Sequence, residues 1–219
     1  MEIKKLTLGD KQYPSLLKTI SSPPQHIFIK GTIEPRDALA VAVVGSRNMT
    51  AFGKAKTKQF VQALVKEKVT IVSGMARGVD TEAHWQALKN GGRTIAVLGS
   101  GLDVIYPPEN KNLYYQIIEN GAVVSPFEMG TKPLPKNFLA RNRIIAGLSL
   151  AVVVIEGLRK SGTLSTAAHA ANEGREVFAV SGVTNAPMAQ ASNWLVKNGA
   201  QVANSAEDVL EYLSTVINI

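Results

Sequence analysis

Between Asn137 and Ala167 the chain reads NFLARNRIIAGLSLAVVVIEGLRKSGTLSTA. Arg141 and Arg143 bring two guanidinium groups, planar forks of donors that match phosphate oxygens. Leu150 to Ile155 is an unbroken apolar run, the mark of a strand covered on both faces, and Ser161-Gly162-Thr163 then opens a small-residue helix. A strand end that feeds a helix N-terminus turns backbone N–H groups outward, where an anion is favoured. A nucleotide or nucleic-acid site is the chemistry these residues fit.

Two further turns have the same character. One apolar run ends in Gly45-Ser46-Arg47, and another in Ser73-Gly74-Met75-Ala76-Arg77-Gly78-Val79-Asp80. Glycine lets the backbone approach a phosphate closely, and arginine supplies the counter-charge. Neither turn is GxGxxG or GxxxxGK[ST], which removes the standard dinucleotide and P-loop mechanisms. Asp80 reads as the N-cap of the helix TEAHWQAL, with a salt bridge to Arg77 or Arg47 as the alternative. His84 has no nucleophile beside it and reads as a packed or solvent-facing histidine.

In the basic segment a helix over 138–147, capped by Asn137, puts Phe138, Arg141, Asn142 and Ile145 on one face and turns Arg143 elsewhere. Phe138 with Arg141 and Lys136 makes a stacking surface beside phosphate-binding charge, unless Phe138 is a core anchor. Glu156 reads as an ion-pair partner, and Ser161, Thr163 and Ser165 as helix-start donors rather than nucleophiles. No catalytic constellation is evident, so the expectation is binding without turnover and without a cofactor.

These turns need a scaffold, and the hydrophobic pattern supplies one. Apolar runs at 39–44, 69–72, 94–98, 122–124, 150–155 and 177–180 alternate with helix-like stretches near 52–68, 79–90, 109–120, 138–147, 163–173 and 205–217. Continuous apolar strands alternating with helices predict βαβ units and a mostly parallel sheet with helices on both faces. The Gly45, Gly74, Ser125 and Ser161 turns then converge at its carboxyl edge. Residues 1–35, with Pro23-Pro24 and a short strand at Ile27 to Ile29, read as an N-terminal lead-in packed on a core of 36–219.

Composition excludes several classes. No cysteine is present, so disulfides and thiolate chemistry are out, and the three histidines are too scattered for a metal site. No run approaches the roughly 18 apolar residues that span a bilayer, and the first residues lack a signal-peptide core, so a cytoplasmic protein is expected. The net charge of +7 permits a polyanionic partner, and its distribution says more. Residues 38–66 hold Arg47, Lys54, Lys56, Lys58 and Lys66 with no acid, and residues 129–172 hold Lys132, Lys136, Arg141, Arg143, Arg159 and Lys160 against Glu156.

Taken in order, YPSLL from Tyr13, SPPQHIFIKG, VVGSR, SGMARGVDTEAH, TIAVLGSGLDVIYPPEN, FLARNRIIAGLS, SGTLSTAAHA and NWLVKNGA resemble the DNA-processing protein A family, also called DprA or Smf. The resemblance implies an α/β, extended Rossmann-like three-layer sandwich that binds single-stranded DNA, forms a homodimer and loads the RecA recombinase in natural transformation. It carries the DNA site onto Gly45, Ser46, Arg47, Gly74, Arg77, Lys136, Phe138, Arg141, Ser161, Gly162 and Thr163. The apolar stretches Val177 to Val183 and Trp194 to Val196 are the expected dimer face. The resemblance covers the core of that family, so the expectation is a core domain alone, without the extra N-terminal helical domain or C-terminal winged-helix-like domain that many members carry. The rival is a nucleotide-binding sensor or a nucleoside-monophosphate hydrolase of the same superfamily. Such hydrolases carry a catalytic Glu in a PGGxGTxxE stretch, and SGTLSTAAH has no acid there.

Overall fold

The computed structural model describes residues 2–159, 161–182 and 187–217, so Lys160 and Val183 lie outside the described residues. The described residues form one nine-stranded sheet in the order β1-β2-β6-β5-β4-β3-β7-β8-β9. The strands are β1 (Ile3–Thr7), β2 (His26–Gly31), β3 (Ala40–Val44), β4 (Thr70–Ser73), β5 (Thr94–Val97), β6 (Gly121–Ser125), β7 (Ala151–Val154), β8 (Glu176–Val180) and β9 (Gln201–Ala203). From β6 through β9 every pairing is parallel, and the two pairings of β2, with β1 and with β6, are antiparallel.

The apolar runs become strands because both faces are covered. Helices α1 (Ser15–Lys18), α5 (Pro135–Gly147), α6 (Gly162–Asn172) and α7 (Gln190–Lys197) close one face, packing Leu17, Ile144, Ala170 and Leu195 against Val44 and Val154. Helices α2 (Ala51–Lys66), α3 (Val79–Lys89), α4 (Lys111–Asn120) and α8 (Ala206–Ile217) close the other, with Phe60, Leu64, Ala83 and Leu213 on Val43 and Val153, and Leu113 and Ile117 on Val123. Helices on both faces of a parallel sheet make the expected three-layer Rossmann-like sandwich.

The N-terminal segment is part of that sheet. β2 pairs with β6 and β1 with β2, while Arg143 donates to the Ser22 carbonyl and the Glu173 carboxylate accepts from Ser21. Val177 to Val180 are buried within β8, between β7 and β9, so the part of the expected dimer face assigned to them is not surface. Val196 and Val202, 38% and 44% exposed, are the apolar side chains that do reach the surface there.

The strand order reverses between β3 and β7. In an open α/β sheet the loops leaving neighbouring strands diverge to opposite faces at such a point and open a crevice at the carboxyl ends. The Gly45 turn follows β3 and the Ser161 turn follows β7.

A cationic cleft at the sheet reversal

A cleft of about 580 Å³ occupies that crevice. Gly45, Ser46 and Arg47 from the first turn, Phe138 and Arg141 from α5, and Ser161, Gly162 and Thr163 at the start of α6 line it together. Gly74 and Arg77 sit beside it with Tyr106, in a recess that shares Arg47 and Phe138. Ser125 holds the same edge, donating to the Ser100 carbonyl and accepting from Phe127 N–H.

Phe138 is the centre of the arrangement. The Arg47 guanidinium lies 5.2 Å from its ring centroid and that of Arg141 lies 5.9 Å away, with the Tyr106 ring at 5.6 Å. A guanidinium within about 6 Å of an aromatic face is attracted by the ring quadrupole, which orders Arg47 without neutralising it. Arg47 is exposed and makes no ion pair among the described residues. Lys136, in the first turn of α5, is exposed and equally unpaired among them.

Arg141 has a different position from the one its sequence suggests. It is 3% exposed, and its Nη1 donates to the Val97 carbonyl at 2.7 Å, so it forms the cleft floor rather than a surface cation. Gly74 makes room for it: any Cβ at that position collides with the guanidinium. Burial pulls the Arg141 pKa down to about 10, opposed by the Asp80 carboxylate, so the group stays charged at neutral pH. Its Nε has no hydrogen-bond partner among the described residues.

Asp80 is not an N-cap. Gly78, with φ of 75° and ψ of −125°, occupies that position, and Asp80 lies inside the first turn of α3. Its carboxylate reaches back to accept from Gly74 N–H at 3.1 Å and Ala76 N–H at 3.4 Å. Burial raises its pKa, against the lowering effects of Arg141 and those N–H groups. Arg77 pairs instead with Glu109, at 2.5 Å and 3.3 Å, on the exposed surface. His84 is packed: it is fully buried, its Nδ1 meets Thr94 Oγ1 at 2.6 Å, and burial depresses its pKa to about 3.

Other local expectations need correction. Helix α5 begins at Pro135 with Leu134 as its N-cap, because proline suits the first helical turn, and Asn137 donates to the Lys132 carbonyl. Glu156 forms no ion pair among the described residues. It accepts from Thr50 N–H at 2.7 Å and Thr50 Oγ1 at 2.6 Å, which fastens the N-terminus of α2 to the end of β7. The Ser161 hydroxyl makes no capping bond and is buried without a partner among the described residues.

Several cleft residues escaped the sequence reading: Asn48, Tyr106, Leu139, Leu158 and Met188. Tyr106 had a signal, an aromatic ahead of two prolines in a loop leaving a strand. Asn142 was placed on the right helical face, and its amide donates to the Gly162 carbonyl. Met188 gave no local cue.

An open, doubly wound sheet with an arginine- and glycine-lined crevice at its reversal defines the Rossmann-like class of folds. Within that class, the chain belongs to the DNA recombination-mediator protein A family, which it matches over residues 4–214. It is 44% identical over 215 residues to Protein Smf of Synechocystis, covering 96% of this chain and 54% of that one. Thus the chain spans about half the length of that relative. The solved structure of DNA processing protein A from Streptococcus pneumoniae superposes with a TM-score of 0.91 at 41% identity, over 96% of this chain and 74% of that one. DNA processing protein A from Helicobacter pylori, whose single-stranded DNA binding mode has been described, superposes with a TM-score of 0.85 at 29% identity, over 98% of this chain and 96% of that one.

Proposed function

We propose that this chain binds single-stranded DNA in the cleft at the sheet reversal, with little sequence preference and without turnover. The observation that carries the reading is Arg47, an exposed guanidinium with no ion pair among the described residues, held over the Phe138 ring at the mouth of the cleft. Free cations that track a backbone beside an aromatic platform suit unpaired strands, because every base offers a π face and a duplex keeps its bases stacked inside. Lys136 extends the charge along α5, and the N–H groups of Gly162 and Thr163 open α6 toward the same space. The Helicobacter pylori relative supports the same ligand.

In a cell this chain then acts in the cytoplasm on incoming or recombining strands, as a homodimer that passes them to the RecA recombinase. Of the stretch Trp194 to Val196 expected at the contact, Val196 is exposed and available to it. Light scattering should return twice the chain mass at micromolar concentration, and a monomer throughout contradicts the dimer.

The cleft volume also suits a mononucleotide, which keeps a nucleotide sensor as the second reading. Titration with single strands, duplex and nucleoside monophosphates, alongside a turnover assay, separates the two. Single strands should bind more tightly than duplex, and monophosphates should bind weakly without hydrolysis. Tight monophosphate binding with no strand binding moves the sensor ahead, and hydrolysis makes the protein an enzyme.

A further inference from the structure

Helix α2 starts at the cleft and runs away from it down the outside of the sheet. Its N-cap, Thr50, stands three residues after Arg47 and is held to the end of β7 by the Glu156 carboxylate. The helix joins the parallel strands β3 and β4, so it descends from the carboxyl edge towards the amino edge. One side of α2 packs Phe60, Val61, Leu64 and Val65 into the core. Lys54, Lys58, Gln62 and Lys66 recur at every fourth residue, which sets them in one row along the helix, and all four are exposed. At 1.5 Å per residue the row is about 18 Å long.

The charges in this row work against the helix that carries them. Exposed helices commonly interleave lysine with acid at i and i+4, whereas residues 38–66 hold no acid at all. Lys54 and Lys58 are a like-charge pair at that spacing, and Lys54 lies near the N-terminus of α2, where the helix dipole disfavours a cation. The surroundings do not compensate. Lys56 is turned to the other flank, where it donates to the Asn204 carbonyl, and Glu67 follows the last turn about 100° further round the helix. Glu82 of the adjoining α3 accepts from Gln86. Lys54, Lys58 and Lys66 make no ion pair among the described residues. Local preferences broken along a single row, with no gain to the fold, mark a row kept for a ligand, and a run of phosphates relieves each of these penalties.

We propose that the row is an outer track for the strand: the single strand leaving the cleft past Arg47 lays its next phosphates along Lys54, Lys58 and Lys66. At the 3.4 Å spacing of stacked nucleotides the row carries about five of them. The inference rests on the single-strand reading above and extends its footprint beyond the cleft. The row begins where the cleft ends, which favours the same strand over a separate partner.

Oligothymidine strands of about 6 and about 20 nucleotides, one short enough for the cleft alone and one long enough to reach α2, provide the test. The triple variant Lys54→Gln, Lys58→Gln, Lys66→Gln should weaken the long strand about tenfold at low salt and flatten its log–log salt slope by about 2, at roughly 0.7 for each lost phosphate contact. The short strand should bind that variant as it binds the wild type. A second triple variant, Lys4→Gln, Lys11→Gln, Lys111→Gln, removes the same charge from exposed lysines elsewhere and should leave both strands unaffected. An equal loss for both lengths, no loss at either, or an equal loss in the second variant overturns the track with single-strand binding intact. A long duplex bound as tightly as the long strand, with the same loss in the first variant, assigns the row to duplex and overturns the track as well. Failure of both strands to bind a folded wild-type protein overturns the single-strand reading and the track with it.

Discussion

The turns after β3 and β4 look alike in sequence, each joining a glycine to an arginine at the carboxyl edge of a parallel strand, yet they present charge in opposite ways. After β3, Arg47 is exposed, unpaired among the described residues and ordered by the Phe138 ring. After β4, Arg77 is matched by Glu109, and Asp80 turns inward to the N–H groups of its own turn beside the buried Arg141. The first turn offers charge to a ligand, and the second spends its charge on the protein. Counting arginines near a cleft therefore overstates its phosphate-binding capacity, because an ion-paired guanidinium must give up a partner first.

Breaking the inward arrangement should have the largest effect. Asp80 is the acceptor for two N–H groups of its own turn, and a buried donor left without its acceptor typically costs about 1–3 kcal/mol. Asp80→Ala should lower unfolding stability by about 3 kcal/mol in urea titration, and a loss under about 1 kcal/mol means the turn after β4 does not depend on that carboxylate.

His84 beneath the same turn sets a pH dependence. Its folded pKa of about 3 lies below the ordinary 6.5, so the unfolded chain binds the proton first as pH falls. The stability tied to the neutral imidazole is complete above 6.5 and is lost as pH drops toward 3, by up to about 1.4 kcal/mol per pH unit. His84→Gln should remove that part of the acid sensitivity in urea titrations across this window. An NMR titration of the wild type showing His84 protonating near 6.5 contradicts the buried, neutral state.

On the ligand side of the comparison, Phe138→Ala should weaken single-strand binding by roughly 1–3 kcal/mol while the salt dependence stays the same, as stacking is insensitive to salt. A change in salt slope would show that Phe138 acts by holding Arg47 rather than by stacking on a base. The smallest effect sharpens the contrast most. Glu109→Gln frees Arg77, so affinity should rise about twofold and the salt slope should steepen slightly. No change at all would mean that Arg77 lies off the path of the strand.

Much of this was legible in the chain, for identifiable reasons. The six strands from β3 to β8 were legible because each is buried on both faces and so reads as a continuous apolar run. β1, an edge strand reading IKKLT with both lysines exposed, and β9, only three residues long, lack that pattern and were missed. The convergence of the turns followed from the βα alternation. The fate of each charge did not: that Arg141 points at Val97, that Arg77 meets Glu109 and that Glu156 fastens Thr50 are contacts between segments far apart in sequence. Side-chain spacing places a residue on a helix face, and only tertiary packing decides whether that face is floor or surface.

The central claim is that the exposed guanidinium after β3 neutralises phosphate. It is tested most directly by measuring single-strand affinity across about 50 to 200 mM salt for the wild type and Arg47→Ala. Each neutralised phosphate of a single strand contributes a log–log slope of about −0.7. Arg47→Ala should lower affinity and flatten the slope by about that amount. A folded Arg47→Ala protein with unchanged affinity and unchanged slope contradicts the account.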